Sequence, residues 1–197
     1  MFGEGFILPG VIGIFYVKKK QRDYAVLKKG DRHYVASLEN MILSNGYNNI
    51  ENLNVGDGVA CFVIKEGNKW RVIKWNSKEE VKSGLYEIVF NPQIENEVVC
   101  FEALYGNKYS VVRWDGKTEV NSRLYTGVLN LQIEDGVAYF EALDEDGWRV
   151  VRFDGKSEMK SELYDKTWRL QVKNGIAYFM AKEGNKERVV RLDSKEE

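Results

Sequence analysis

Short apolar runs rich in valine, phenylalanine, tyrosine and tryptophan follow one another along the chain, with glycine, aspartate and asparagine between them. Val137-Ala138-Tyr139-Phe140-Glu141-Ala142-Leu143 and Trp148-Arg149-Val150-Val151-Arg152-Phe153 are representative. Each is too short for an ordinary helix and lacks a 3.6-residue period, so the pattern predicts strands. Asp57-Gly58, Asp135-Gly136 and Asn174-Gly175 precede such runs, and an Asx-Gly pair supplies the two positive φ angles of a tight hairpin turn. A second turn follows at Asp115-Gly116-Lys117 and Asp154-Gly155-Lys156, where Asx side chains bond their own backbone.

The pattern recurs every 39 residues. Residues 47–85, 86–124 and 125–163 align without gaps, and the last two of these units are identical at about half their positions. A shortened copy runs from Tyr164 to the C-terminus, and residues 8–46 form a divergent first copy. Five units of 39 account for 195 of the 197 residues. Four short antiparallel strands in about 40 residues is the size of a propeller blade. The expected fold is therefore all-β, a five-bladed β-propeller in one domain (1–197), with blades at 8–46, 47–85, 86–124, 125–163 and 164–197 plus 3–7. The fifth unit stops five positions short, and Gly3 to Ile7 fill those positions in the repeat frame, so the N-terminal strand is expected to close the last blade.

The Asp-Gly turn, the aromatic second strand and the third strand Arg149 to Lys156 resemble blades of the NHL, YWTD and WD-repeat propellers. The Trp-Asp dipeptide occurs once, at Trp114-Asp115. Five blades of this compact size also resemble the tachylectin type, which implies binding of N-acetylated sugars. Five-bladed glycosidases resemble this architecture too. That resemblance implies carboxylates near the channel, for which Glu51, Glu87 and Asp165 are the nearest acids.

Strand a of each blade is expected to line the channel. It places Asn52, Asn91 and Asn130 at one level, with Arg169 and Gly13, and Asn54, Gln93, Gln132 and Gln171 at the next, with Phe15. Such amides hydrogen-bond water, backbone or a polar ligand. The d–a connections carry Tyr47, Tyr86, Tyr125 and Tyr164, with Trp168 nearby. Aromatic platforms beside amides suit a sugar, although a tyrosine repeated in every blade also suits inter-blade packing. Glu102 and Glu141 on strand b, with the basic residues of strand c, read as cross-strand ion pairs. The first blade departs from the pattern, with a longer a–b turn bearing Lys18, Lys19, Lys20 and Arg22 that could meet an acidic partner.

Charge and composition exclude more than they assign. Net charge is −1, so no global basic field recruits nucleic acid. Cys61 and Cys100 stand where Tyr139 and Tyr178 stand in later units, which marks a packing position. One histidine, His33, makes no multi-histidine metal site, and no phosphate-binding glycine loop occurs, so no metal or cofactor is expected. The apolar stretch Phe6 to Val17 is too short to span a bilayer, so the expectation is a cytoplasmic monomer. The expected role is a non-catalytic module binding a carbohydrate, another small polar ligand or a protein through the face bearing the d–a and b–c loops. A glycoside-processing enzyme and an assembly scaffold are the alternatives.

Overall fold

The computed structural model describes residues 5–6, 15–21 and 24–193, of which 5–6 and 15–21 only as strands. These residues form five antiparallel sheets and no helix. The first sheet holds β1 (Gly5–Phe6), β2 (Phe15–Gln21), β3 (Tyr24–Lys29), β4 (Arg32–Ser37) and β5 (Ile42–Leu43). The second holds β6 (Glu51–Gly56), β7 (Val59–Glu66), β8 (Lys69–Trp75) and β9 (Glu80–Lys82). The third holds β10 (Ile88–Glu95), β11 (Val98–Tyr105), β12 (Lys108–Trp114) and β13 (Glu119–Asn121). The fourth holds β14 (Gly127–Glu134), β15 (Val137–Leu143), β16 (Trp148–Phe153) and β17 (Glu158–Lys160). The fifth holds β18 (Lys166–Lys173), β19 (Ile176–Glu183) and β20 (Lys186–Leu192). Within each sheet neighbours in sequence are neighbours in space, which is the up-and-down blade of a β-propeller.

The hairpins form as the turn residues dictate. Asp57 and Gly58, Asp135 and Gly136, and Asn174 and Gly175 all hold positive φ. Asp115 and Asp154 each accept two backbone N–H bonds, from Lys117 and Thr118 and from Lys156 and Ser157, which hold their carboxyls below the ordinary range. Such bonds stabilise the ionised form.

Cores lie between successive sheets. Cys61, Val63 and Val72 of the second sheet meet Val89, Phe101, Val112 and Trp114 of the third. The same columns recur as Cys100 and Val111 against Phe140 and Phe153, and as Tyr139 and Val150 against Phe179. Each buried phenylalanine contributes about 1.5–3 kcal/mol relative to exposure. Burial also pushes the Cys100 thiol up to about 12 and the Cys61 thiol higher, so both stay neutral and serve as packing groups.

At each of the four junctions between consecutive blades a long polar side chain reaches the carbonyl edge of the next blade's a–b turn. The Tyr24 hydroxyl donates to the Gly58 carbonyl (2.5 Å), Lys74 Nζ to the Glu97 carbonyl (2.6 Å), Arg113 Nε to the Gly136 carbonyl (2.8 Å) and the Tyr139 hydroxyl to the Gly175 carbonyl (3.1 Å). Where strand b offers only cysteine, the lysine or arginine of strand c makes the tie. In the fifth sheet the corresponding Tyr178 is 39% exposed and Val189 is 69% exposed, so the face that earlier sheets bury is open there.

Two expectations are corrected. Gly5 and Phe6 pair with Tyr16 and Phe15 inside the first sheet, and the fifth sheet has three strands, so the described N-terminal strand does not close the last blade. Partners about ten positions apart close a much smaller loop than partners at opposite ends of the chain. The a–b turn of the first blade is also not longer. Gln21 pairs with Tyr24 across two residues, as Gly56 pairs with Val59, and Lys18, Lys19 and Lys20 lie inside strand β2. Arg22, Gly13 and Leu8 lie outside the described residues.

Candidate functional site

Strand a carries a bulge in each of the last four sheets, between Glu51 and Asn54, Phe90 and Gln93, Leu129 and Gln132, and Trp168 and Gln171. Asn52, Asn91, Asn130 and Arg169 sit in these bulges with φ of 49°, 43°, 54° and 58°. Asparagine tolerates this left-handed conformation better than most side chains, so its recurrence has a backbone cause before any ligand is considered.

Several strand-a amides are engaged with one another or with neighbouring backbone. Asn54 Nδ2 donates to Gln93 Oε1 (3.1 Å) and to the Pro92 carbonyl (3.2 Å), and Gln132 Nε2 donates to the Leu170 carbonyl (2.6 Å). Asn52, Asn54, Asn91 and Gln93 come together around a polar pocket of about 160 Å³. Arg169 and Gln171 line a separate recess beside Tyr178 and Val189.

The repeated tyrosines are withdrawn from the surface. Tyr86, Tyr125 and Tyr164 are buried and Tyr47 is half-buried, each packed edge-on against Phe101, Phe140, Phe179 and Phe62 respectively. Tyr47, Tyr86 and Tyr125 pair with His33, Trp70 and Tyr109 of strand c in the preceding blade, and their hydroxyls donate to the strand-d glutamate of their own repeat: Tyr47 to Glu80 (2.5 Å), Tyr86 to Glu119 and Tyr125 to Glu158 (2.7 Å). Burial, reinforced by the carboxylate, raises the pKa of all three phenols. They are inter-blade ties, not stacking platforms. Trp168 is half-buried on β18, with the Lys166 ammonium 6.0 Å from its ring centroid.

The acids nearest the loops also have structural work. Glu87 and Asp165 accept the backbone N–H of Gly106 (3.1 Å) and Gly184 (2.7 Å), capping the b–c turns of their own blades, and Glu51 accepts from Asn49 Nδ2 (2.6 Å).

Among the described residues Glu102 and Glu141 are the buried carboxylates, 4% and 1% exposed, and neither pairs with a cation on strand c: Val111 and Val150 stand opposite them. Instead Asn91 Nδ2 donates to Glu102 Oε1 (2.9 Å). Burial raises the pKa of Glu102, and the Asn91 bond offsets only part of this. Glu141 is also raised by burial, against the Asn130 amide and the Leu170 N–H, which lies 3.3 Å away.

Glu102 opens onto a cleft of about 360 Å³ between the third and fourth blades. Phe90, Asn91 and Tyr109 line it from one side, and Thr126, Gly127, Val128, Leu129 and Trp148 from the other. Tyr109 and Trp148 lie in the first two positions of strand c, Gly127 begins strand a and Thr126 precedes it, which places the cleft on the face of the d–a and b–c loops. Leu129 is 50% exposed at its edge. An apolar, aromatic recess with a few polar groups and a shifted carboxyl is the usual form of a small-molecule site.

The sequence expectations placed Asn91 among the channel amides and Glu102 in a cross-strand ion pair, and gave Phe90, Tyr109 and Trp148 no binding role. The available signal was Gly127, which replaces Ile88 of the preceding unit and Lys166 of the following one and leaves the space open.

No protein-family model matches the sequence, and no curated protein matches it. Among solved structures the chain is similar to the uncomplexed acylaminoacyl peptidase of Pyrococcus horikoshii, at 10% identity and a TM-score of 0.51 over 98% of this chain and 38% of that one. The orthorhombic form of that peptidase gives 11% identity and a TM-score of 0.50 over 98% and 37%. The β-propeller domain of the trilobed protease from Pyrococcus furiosus gives 14% identity and a TM-score of 0.48 over 98% and 67%. The chain thus spans well under half the length of the peptidases it resembles. Likeness at such identity speaks to the fold alone.

Proposed function

We propose that the chain is a non-catalytic binding module that takes a small polar ligand, a carbohydrate or another, in the cleft between the third and fourth blades. The observation that carries this is the meeting of Phe90, Tyr109 and Trp148 with Asn91 and the buried Glu102 around one open recess of about 360 Å³. Rings supply apolar contact area, and the amide and carboxylate fix orientation. Glycoside hydrolysis requires two carboxyl groups flanking the scissile bond. Glu102 is the one carboxylate among the described residues that line the cleft, and Glu51, Glu87 and Asp165 bond elsewhere.

A glycan and metabolite array run beside a hydrolysis screen on the same sample tests the proposal. The expected result is binding without turnover, weakened at least tenfold in Trp148→Ala. Turnover that disappears in Glu102→Gln would overturn it in favour of an enzyme. Binding that is indifferent to Trp148→Ala would move the site out of the cleft.

A further inference from the structure

The residue that replaces Gly127 one repeat later identifies the chemistry the cleft lacks. Lys166 stands 39 positions on, where its ammonium lies over the Trp168 ring and favours the charged form of Glu141. The third–fourth junction keeps the carboxylate, as Glu102, and has three aromatic side chains, but Gly127 removes the cation. We infer that the cleft takes the primary ammonium of an alkylamine, with Glu102 as its counter-ion among the rings of Phe90, Tyr109 and Trp148. This rests on the cleft being the binding site.

Three physical considerations favour a cation over a neutral or anionic ligand. A buried carboxylate is costly to keep charged when its one side-chain donor is Asn91, and an arriving ammonium offsets that cost. The negative faces of aromatic rings attract ammonium groups, most strongly in desolvated places. Among the described residues that line the cleft there is no lysine or arginine to compensate an anion, while Val128 and Leu129 offer apolar surface to a methylene stem, as lysine stems use in proteins.

The test uses the full chain with its tryptophan indoles labelled for NMR and the Trp148 signal assigned through Trp148→Phe. Two ammonium probes, n-butylammonium and a lysine blocked at both backbone ends, are titrated beside their neutral counterparts, n-pentanol and the same blocked lysine acetylated at Nζ. Both ammonium probes are expected to move the Trp148 signal at concentrations at least tenfold below the neutral ones. Glu102→Gln, nearly isosteric, is expected to abolish that preference. A tenfold advantage of the blocked lysine over butylammonium identifies a peptide-borne lysine as the source, and equal affinities identify a free amine; either supports the proposal. Neutral probes that bind as well as charged ones overturn the ammonium class and leave the cleft as a site. If array glycans move the signal and ammonium probes do not, the class is again overturned. If nothing moves it, the cleft itself is not the site and the binding proposal falls with it.

Discussion

The third–fourth and fourth–fifth junctions start from the same parts and end differently. Each has a buried glutamate on strand b, a left-handed asparagine in the bulge of strand a, and a tryptophan or tyrosine at the start of strand c. At the fourth–fifth junction Glu141 is enclosed: the Leu170 N–H points at it, Asn130 holds it, the buried Thr167 hydroxyl lies close enough to favour its charge, and Lys166 adds a cation. At the third–fourth junction Val128 stands for Thr167 and Gly127 for Lys166, so Glu102 keeps one amide and faces open space. One carboxylate is a structural acceptor and the other is left in want of a partner. In a repeat protein, a site can arise by subtraction, where one unit omits side chains that its neighbours use to fill the junction.

The largest effect should come from putting the missing side chain back. Gly127 does not sit at positive φ, and a Cβ built there meets Leu143 Cβ at 3.5 Å, an ordinary contact, so Gly127→Lys is compatible with the backbone. It is expected to weaken the ammonium probes at least thirtyfold by supplying an internal competitor, and to lower the Glu102 pKa as seen by carboxyl NMR. An unchanged affinity would break the equivalence of the two junctions. A smaller effect separates the carboxylates by stability. Glu141→Leu orphans the buried Leu170 N–H and should cost about 1–3 kcal/mol in urea unfolding. Glu102→Leu frees only the exposed Asn91 amide and should cost about 0.5 kcal/mol or less. Equal losses would mean that both carboxylates are structural.

Much of this was legible in the residues, and the gaps have physical reasons. The 39-residue period, the Asx-Gly hairpins and the Asp turns all follow from local rules, and apart from β1, which pairs in the first sheet instead of the last, strands, turns and sheet order came out as the pattern requires. The tyrosines were harder, because a repeated aromatic serves a ligand and a junction equally well. The distinguishing signal was a glutamate 33 positions after each of Tyr47, Tyr86 and Tyr125, which gives each of these hydroxyls a strand-d acceptor in its own repeat while its backbone pairs with the blade before. Repeated asparagines suggested channel chemistry, whereas bulges that demand left-handed backbone account for Asn52, Asn91 and Asn130. The first blade misled because its lysines look like a turn, although Gln21 pairs with Tyr24 and Lys18–Lys20 lie in the strand. The cleft was hidden by the logic of repeats itself: attention goes to positions that recur, and Gly127 matters because it does not.

The smallest expected effect is on pH dependence, and its sign follows from burial. Glu102 has its pKa raised above the ordinary 4.5 in the folded chain, chiefly by desolvation. Below that ordinary value both folded and unfolded chains carry the proton and no stability is lost through this group. As pH rises, the unfolded chain ionises first, so native stability falls until pH passes the raised folded value. Asp115 and Asp154 work in the opposite direction, since their lowered values give stability above about 3.8 that is lost on acidification. Subtracting the unfolding free energy of the native chain from that of Glu102→Gln, measured from pH 4 to pH 7, cancels the aspartates and isolates Glu102. The difference should grow in favour of the glutamine variant as pH rises, and the same subtraction in a Gly127→Lys background should be flatter, because a fixed cation lowers the folded pKa toward its unfolded value. A difference that is flat in both backgrounds would mean that Glu102 is already compensated in the native chain, and that the open junction differs from the closed one in shape but not in charge.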